Sequence, residues 1–356
     1  SDVKKIATRE SYGNALVEIG KEHQDIIVLD AGLAGSTKTG MFKKVYPERH
    51  FNCGIAEANM ASIAAGLAAA GKVPFISSFA MFATGRAYEQ IRNSIGYPHL
   101  NVNICASHAG ISVGEDGATH QCNEDIALMR NIPGMTVICP SDDVEAKAAV
   151  KAAYELDGPV YIRLGRLAVP VINDHDGYEF EIGKGTVLRE GKDVTIIATG
   201  LCVAATMEAA EMLAADGIDA KVINIHTIKP LDDELVVAAA KETGKIVTVE
   251  EHSVIGGLGS AVCDCLSEKY PTPVKKVGIN DVFGESGPAL KLLEKYGLDG
   301  KGIYQRLKKL VSEKWNKFVT TGFCGGLTTF SSFAQGITTL FIGSHIWVGI
   351  IYILAN

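Results

Sequence analysis

The chain has 356 residues, 47% of them hydrophobic and 21% charged, and a formal net charge of −7. That length predicts about two or three domains, and that composition excludes a disordered or fibrous chain. The acidic balance excludes a basic nucleic-acid footprint, so no nucleic-acid partner is expected.

The opening, SDVKKIATRESYG, has no apolar signal core, and a cytoplasmic protein is expected. Eight cysteines lie mostly inside apolar runs, without a C-x-x-C pair, and read as reduced thiols. Through residues 1–166 short apolar runs alternate with longer amphipathic ones. Asp25–Ala31, Val73–Phe79, Asn101–Ser107, Thr136–Cys139 and Val160–Leu164 are predicted as buried strands. Ile55–Gly71 and Asp143–Leu156 are predicted as helices between them. Such alternation predicts an α/β domain whose parallel sheet is covered on both faces.

Residues 167–190 gather Pro, Gly, Asp and Asn and are predicted as a linker. Residues 191–315 repeat the alternation. Val194–Ala198, Ala220–Ile225, Lys245–Val249 and Val274–Ile279 are the expected strands. Val203–Ala215, Asp233–Glu242, Ser260–Lys269 and Pro288–Tyr296 are the expected helices, with Asp232 as a helix cap. A helix from Lys301 to Trp315 closes this second parallel-sheet α/β domain. Beyond Lys317 there is no Asp, Glu, Lys or Arg. An uncharged apolar stretch of this length is a transmembrane signature, so 316–356 is expected to be an apolar helical, membrane-like tail.

In open parallel sheets ligands bind beyond the carboxyl ends of the strands. The predicted strand ends there and the segments that follow them carry Ser36, Phe79, Phe82, His108, Asp116, His120 and Arg166. Ser36 and Arg166 suit a phosphate, since arginine offers a planar fork of donors. His108, Asp116 and His120 can bond sugar hydroxyls or move protons. Each feature alone also reads as a turn, a cap or a surface ion pair; their convergence favours a site. Glu57 opens the helix Ile55–Gly71. It reads either as a helix-dipole carboxylate or as a partly buried acid among apolar neighbours. GGLGSAV at 256–262 places Val262 where a dinucleotide fingerprint needs Gly or Ala, so it reads as a strand–helix turn.

Residues 1 to about 314 resemble the carboxy-terminal half of a transketolase, and most of all the small subunit of the split enzymes. The resemblance rests on LDAGLAGSTKT, NCGIAEANM, SSFAMFATGRAYEQIRN, ASHAGISVGEDGATHQCNEDIALMR, GPVYIRLGR, INIHTIKPLD and VEEHSVIGGLGSAV. It implies a pyrimidine-binding domain for thiamine diphosphate, then a C-terminal α/β domain with no direct catalytic role. It implies transfer of a two-carbon ketol unit from a ketose phosphate to an aldose phosphate. Glu57 would be the acid that hydrogen-bonds the aminopyrimidine ring and favours its reactive tautomer. Phe79 and Phe82 would pack on the pyrimidine. His108 and Asp116 would contact donor hydroxyls, and Ser36, His120 and Arg166 the substrate phosphate, with Glu57, His108 and His120 the catalytic set.

Two positions depart from the family pattern: Gly32, where many relatives carry Asp, and Gly85, where some carry a third aromatic. A larger departure is the missing Gly-Asp-Gly motif, which in the family holds the diphosphate and Mg²⁺. The chain is therefore expected to hold no metal itself and to need an N-terminal transketolase subunit that does. Heterotetramers are expected, with a homodimeric contact between pyrimidine-binding subunits. TGFCGGLTTFSSF at 321–333 resembles the third-helix motif of the small fluoride-channel (Fluc or CrcB) family, in which Phe330 and Phe333 would line the ion path. Any membrane contact is expected through this tail alone. Competing readings are a 1-deoxyxylulose-5-phosphate synthase or 2-oxoacid dehydrogenase β-like subunit and, from another class, a membrane-anchored non-catalytic fusion or channel fragment.

Overall fold

A computed structural model describes residues 4–317. β1 (Lys5–Ala7) runs into α1 (Thr8–Glu22), followed by β2 (Ile26–Asp30), α2 (Ala34–Thr37), α3 (Thr39–Val45), β3 (His50–Asn52) and α4 (Glu57–Ala69). After β4 (Val73–Ser77) come two π-helical turns, Met81–Arg86 and Ile91–Gly96, flanking α5 (Tyr88–Gln90). β5 (Asn103–Ala106), α6 (Asp125–Arg130), β6 (Thr136–Ile138), α7 (Asp143–Glu155), β7 (Val160–Arg163) and β8 (Ala168–Pro170) follow. The remainder comprises β9 (Thr186–Arg189), β10 (Val194–Ala198), α8 (Cys202–Ala215), β11 (Ala220–Asn224), β12 (Thr227–Lys229), α9 (Asp233–Thr243), β13 (Ile246–Ser253), α10 (Leu258–Lys269), β14 (Val274–Ile279), α11 (Ala289–Lys295) and α12 (Gly300–Lys317).

Two large sheets organise these elements, in the orders β12-β6-β7-β5-β4-β2-β3 and β14-β13-β10-β11-β9, beside a two-stranded pair of β1 and β8. β2 and β4 are buried at every residue, as strands covered on both faces must be. Along β2, Ile26 and Val28 enter one core with Tyr12, Leu16 and Phe75. Ile27 and Leu29 enter the other, with Met60, Ile76 and Ile104. That alternation is the period-two geometry of a strand.

Both sheets are parallel as expected except along one edge of each. β12 pairs antiparallel with β6, and β9 antiparallel with β11. An edge strand needs partners on one side only, so a short return segment can fill it in either direction. Pro230 ends β12, having no N–H to donate. β12 follows β11 in the chain yet closes the first sheet, which ties the two halves together. The stretch 167–190 is likewise pinned. β8 pairs with β1, the amides of Ile172 and Asn173 donate to Asp142 Oδ2 at 2.8 Å each, and Tyr178 OH donates to Glu145 Oε1 at 2.8 Å.

Helix ends follow local chemistry. Asp142 caps α7 by accepting the Glu145 amide at 2.9 Å, and Asp232 caps α9 through the Leu235 amide at 3.1 Å. The seven described cysteines are free thiols. Of the tail expected over 316–356, Asn316 and Lys317 end α12, and the rest, 318–356, lies outside the described residues. Among the described residues no helix is long and apolar enough to cross a membrane.

Candidate active site

β2 ends on Asp30, which is buried and organises the segment beyond it. Its Oδ2 accepts Thr37 Oγ1 at 2.7 Å and Thr39 Oγ1 at 3.1 Å, and its Oδ1 accepts the Leu33 amide. Gly32 between them has φ +85°, a conformation glycine adopts freely. The departure at this position thus coincides with a backbone demand. Ser36 sits on the segment so held, and its carbonyl accepts Arg9 Nη1 at 2.9 Å.

Glu57 is the first residue of α4 and only 1% exposed. The helix N-terminus stabilises its charge. Its Oε1 accepts Ser78 Oγ at 3.1 Å and its Oε2 accepts Arg86 Nη1 at 2.7 Å. Arg86 in turn lies 4.6 Å above the Phe82 ring. The wide π-helical turn Met81–Arg86 carries Phe82 and Arg86 together. Phe82 and Phe79 lie nearly parallel with centroids 5.9 Å apart, and Phe79 stacks on His108 at 3.8 Å. His120 meets Phe82 edge-on at 5.3 Å.

His108 follows β5 with φ +57°, in the left-handed region where histidine is among the enriched residues. Its Nε2 lies 3.3 Å from Arg9 Nη1 and its Nδ1 2.8 Å from Ser107 Oγ. Arginine only donates, so Nε2 accepts and Nδ1 carries the proton. Burial, then the neighbouring Arg9 and Arg166, push the His108 pKa down from 6.5 to about 3. The ring is therefore neutral at physiological pH. A histidine whose pKa is lower in the folded chain takes up its proton on unfolding. Its contribution to stability is thus lost as pH falls from about 6.5 towards about 3. Imidazole nitrogen NMR is expected to show the Nδ1–H tautomer throughout pH 5–8, with no titration of His108 in that range.

Arg166 follows β7 and is 39% exposed. Its Nη1 donates to Glu115 Oε2 at 2.9 Å and to the Val113 carbonyl. Arg9 is held below the usual guanidinium range, chiefly by burial, with Arg166 acting the same way against Glu10. Arg9 thus meets a neutral imidazole with one guanidinium nitrogen while its buried Nε stays without a partner. Asp116 is exposed on the turn that carries Glu115, and His120 is half-buried, its Nδ1 2.9 Å from Thr119 Oγ1.

The structure therefore joins Ser36, Arg9, His108, Phe79, Phe82, Arg86 and Glu57 into one band of contacts across the carboxyl ends of β2, β4 and β5. Sequence reasoning missed Arg9, Asp30 and Arg86. Arg86 stood in a quoted motif, and Asp30 ended a predicted strand. Arg9 lies in α1, ahead of the first predicted strand and of every strand end that marks a site. Among the described residues no cluster of His, Cys, Asp and Glu could hold a metal ion.

Comparison with known proteins bears on the whole chain. The profile of "Transketolase, pyrimidine binding domain" matches residues 4–171, and that of "Transketolase, C-terminal domain" matches 183–303. A third, "CrcB-like protein, Camphor Resistance (CrcB)", matches 288–356. A Methanocaldococcus jannaschii protein provisionally assigned as a transketolase C-terminal section is 51% identical, over 84% of this chain and 94% of its own. A 6-deoxy-6-sulfo-D-fructose transketolase subunit from a Clostridium species is 46% identical, over 86% and 95%. A solved structure titled "Split gene transketolase, inactive beta4 tetramer" is 57% identical with a TM-score of 0.79, over 85% of this chain and 98% of that one.

Proposed function

The chain belongs to the transketolase family as the subunit of a split enzyme, and we propose that it supplies the pyrimidine and sugar-phosphate half of a composite thiamine-diphosphate site. The supporting observation is the continuous band from Ser36 and Arg9 through His108 and the two phenylalanines to Glu57. A buried carboxylate beside two flat rings fits an aminopyrimidine, which offers a hydrogen-bonding edge and a π-face. Bound thiamine diphosphate supplies the carbanion-stabilising chemistry that ketol transfer needs. In this reading Glu57 bonds the pyrimidine edge, while Phe79 and Phe82 pack its face. His108 and Asp116 take the donor hydroxyls. Ser36, His120 and Arg166 take the phosphate, joined by Arg9, whose unpartnered buried Nε is a donor in want of an anion. His108, neutral, with Nε2 engaged by Arg9 and Nδ1 by Ser107, is suited to hydrogen bonding rather than to taking up a proton.

The sequence lacks Gly-Asp-Gly, so we assign the diphosphate and Mg²⁺ to the partner subunit. Two such partners and two copies of this chain would meet as a heterotetramer in the cytoplasm, through a contact between pyrimidine-binding halves. The sulfofructose relative points to ketoses with an anionic terminal group as the donor class. No candidate side chain lies in 318–356, so the tail is assigned no part in catalysis and any membrane contact is assigned to it.

The test mixes the purified chain with a diphosphate-binding subunit and assays ketol transfer beside pyruvate decarboxylation. Transfer is expected only in the mixture, at the same rate when 318–356 is deleted. Pyruvate decarboxylation without ketol transfer would reassign the chain to the 2-oxoacid dehydrogenase or deoxyxylulose-phosphate class.

A further inference from the structure

The segment 110–122 carries Glu115, Asp116 and His120, and its own sheet does not hold it alone. At its base the Gly110 amide donates to the Cys122 carbonyl at 2.8 Å. β13 of the second sheet reaches both ends. Glu251, 5% exposed, accepts the Ser112 amide on Oε1 at 2.6 Å. The Ser253 amide donates to the Asn123 carbonyl at 2.7 Å. Arg163 Nη2 bridges the carbonyls of Glu251, at 2.8 Å, and Cys122, at 3.3 Å. Gln121 Nε2 donates to the carbonyls of Ile111 at 3.2 Å and Glu285 at 2.8 Å.

Glycine makes this approach sterically available. A Cβ on Gly110, where φ is +77°, would stand 2.3 Å from the Glu251 carboxyl carbon. One on Gly117, where φ is +75°, would stand 2.3 Å from Ser286 Oγ. The close fit therefore depends on residues of both halves.

We propose that Glu251 is a positioning residue for the reaction: from the C-terminal α/β half it fixes the 110–122 segment and thereby places Asp116 and His120. This rests on the reading that gives those two side chains to the donor sugar. It also changes the role of the C-terminal half, which the family resemblance leaves without one in the site. The feature that matters is the reach of the acceptor, because the Ser112 amide needs an oxygen within about 3.2 Å. Gln keeps that oxygen in place. Asp withdraws it by about 1.5 Å, one carbon–carbon bond.

The experiment compares Glu251→Gln and Glu251→Asp in the chain assembled with its diphosphate-binding subunit. Glu251→Gln is expected to hold the ketose-phosphate KM within about twofold. Glu251→Asp should raise it roughly tenfold, as expected when a side chain is misplaced by a fraction of an ångström to an ångström. Both should keep the wild-type affinity for thiamine diphosphate. Gly110→Ala presses on Glu251 from the loop side and should repeat the KM rise. On the chain alone, hydrogen exchange at the Ser112 amide should be slow in wild type and Glu251→Gln and fast in Glu251→Asp. Equal KM values for Glu251→Asp and wild type would overturn the proposal. So would a lowered Tm and kcat with unchanged KM, which is the signature of a purely structural role. If the wild-type mixture shows no ketol transfer, the functional reading fails, while the exchange result still decides whether Glu251 holds the segment.

Discussion

Glu57→Gln is expected to lower ketol transfer by on the order of 10²–10⁴-fold while the chain folds normally. That range is the usual contribution of one positioned acid–base group. The introduced glutamine would keep the shape and one acceptor oxygen, but an amide can neither take up nor return a proton at the pyrimidine edge. Folding should survive because the partner that Glu57 loses is not stranded. Arg86 is 47% exposed and can return to water, so loss of the ion pair at 2.7 Å leaves no buried charge behind. Ser78 Oγ can still donate to the amide oxygen. The measurement is the rate of the assembled two-subunit enzyme beside the thermal midpoint of the chain. A variant with near-wild-type rate would remove Glu57 from cofactor activation and leave it a helix-terminus carboxylate.

The strands were legible because fully buried parallel strands are near-continuous apolar runs, and β2, β4 and β10 come close to that pattern. Helices α7 and α9 were legible from their Asp caps. The antiparallel edge strands were not. β9 and β12 are only three or four residues long and take their place by pairing, which no local pattern encodes. The site was legible where chemistry follows a strand end directly, as at Ser36, Phe79, His108 and Arg166. It was hidden where a residue arrives from elsewhere in the chain. Arg9 reaches His108 across 99 positions, and Glu251 reaches Ser112 across 139. The neutrality of His108 was hidden too, since it arises from burial between those distant guanidinium groups.

Arg166→Ala should raise the KM for phosphorylated donors by ~10–100-fold and leave that for an unphosphorylated ketose nearly unchanged, because a hydrogen bond to a charged group contributes roughly 1.5–3 kcal/mol. Arg166 is suited to a clean result of this kind. Its partners in the structure are Glu115, 62% exposed, and a backbone carbonyl, so its removal strands no buried charge. Arg9→Ala should give a KM effect of similar size with an added loss in kcat. Arg9 holds the Ser36 carbonyl at 2.9 Å and engages His108 Nε2 at 3.3 Å, so removing it also frees the imidazole to change tautomer and orientation. The two variants together separate anion binding from ring positioning. Arg166→Ala changes KM alone, whereas Arg9→Ala changes KM for the phosphorylated donor and kcat for both donors. An equal KM penalty on both donor types for Arg166→Ala would place Arg166 in a structural role with Glu115 and Val113, and the phosphate would then belong to Arg9, Ser36 and His120 alone.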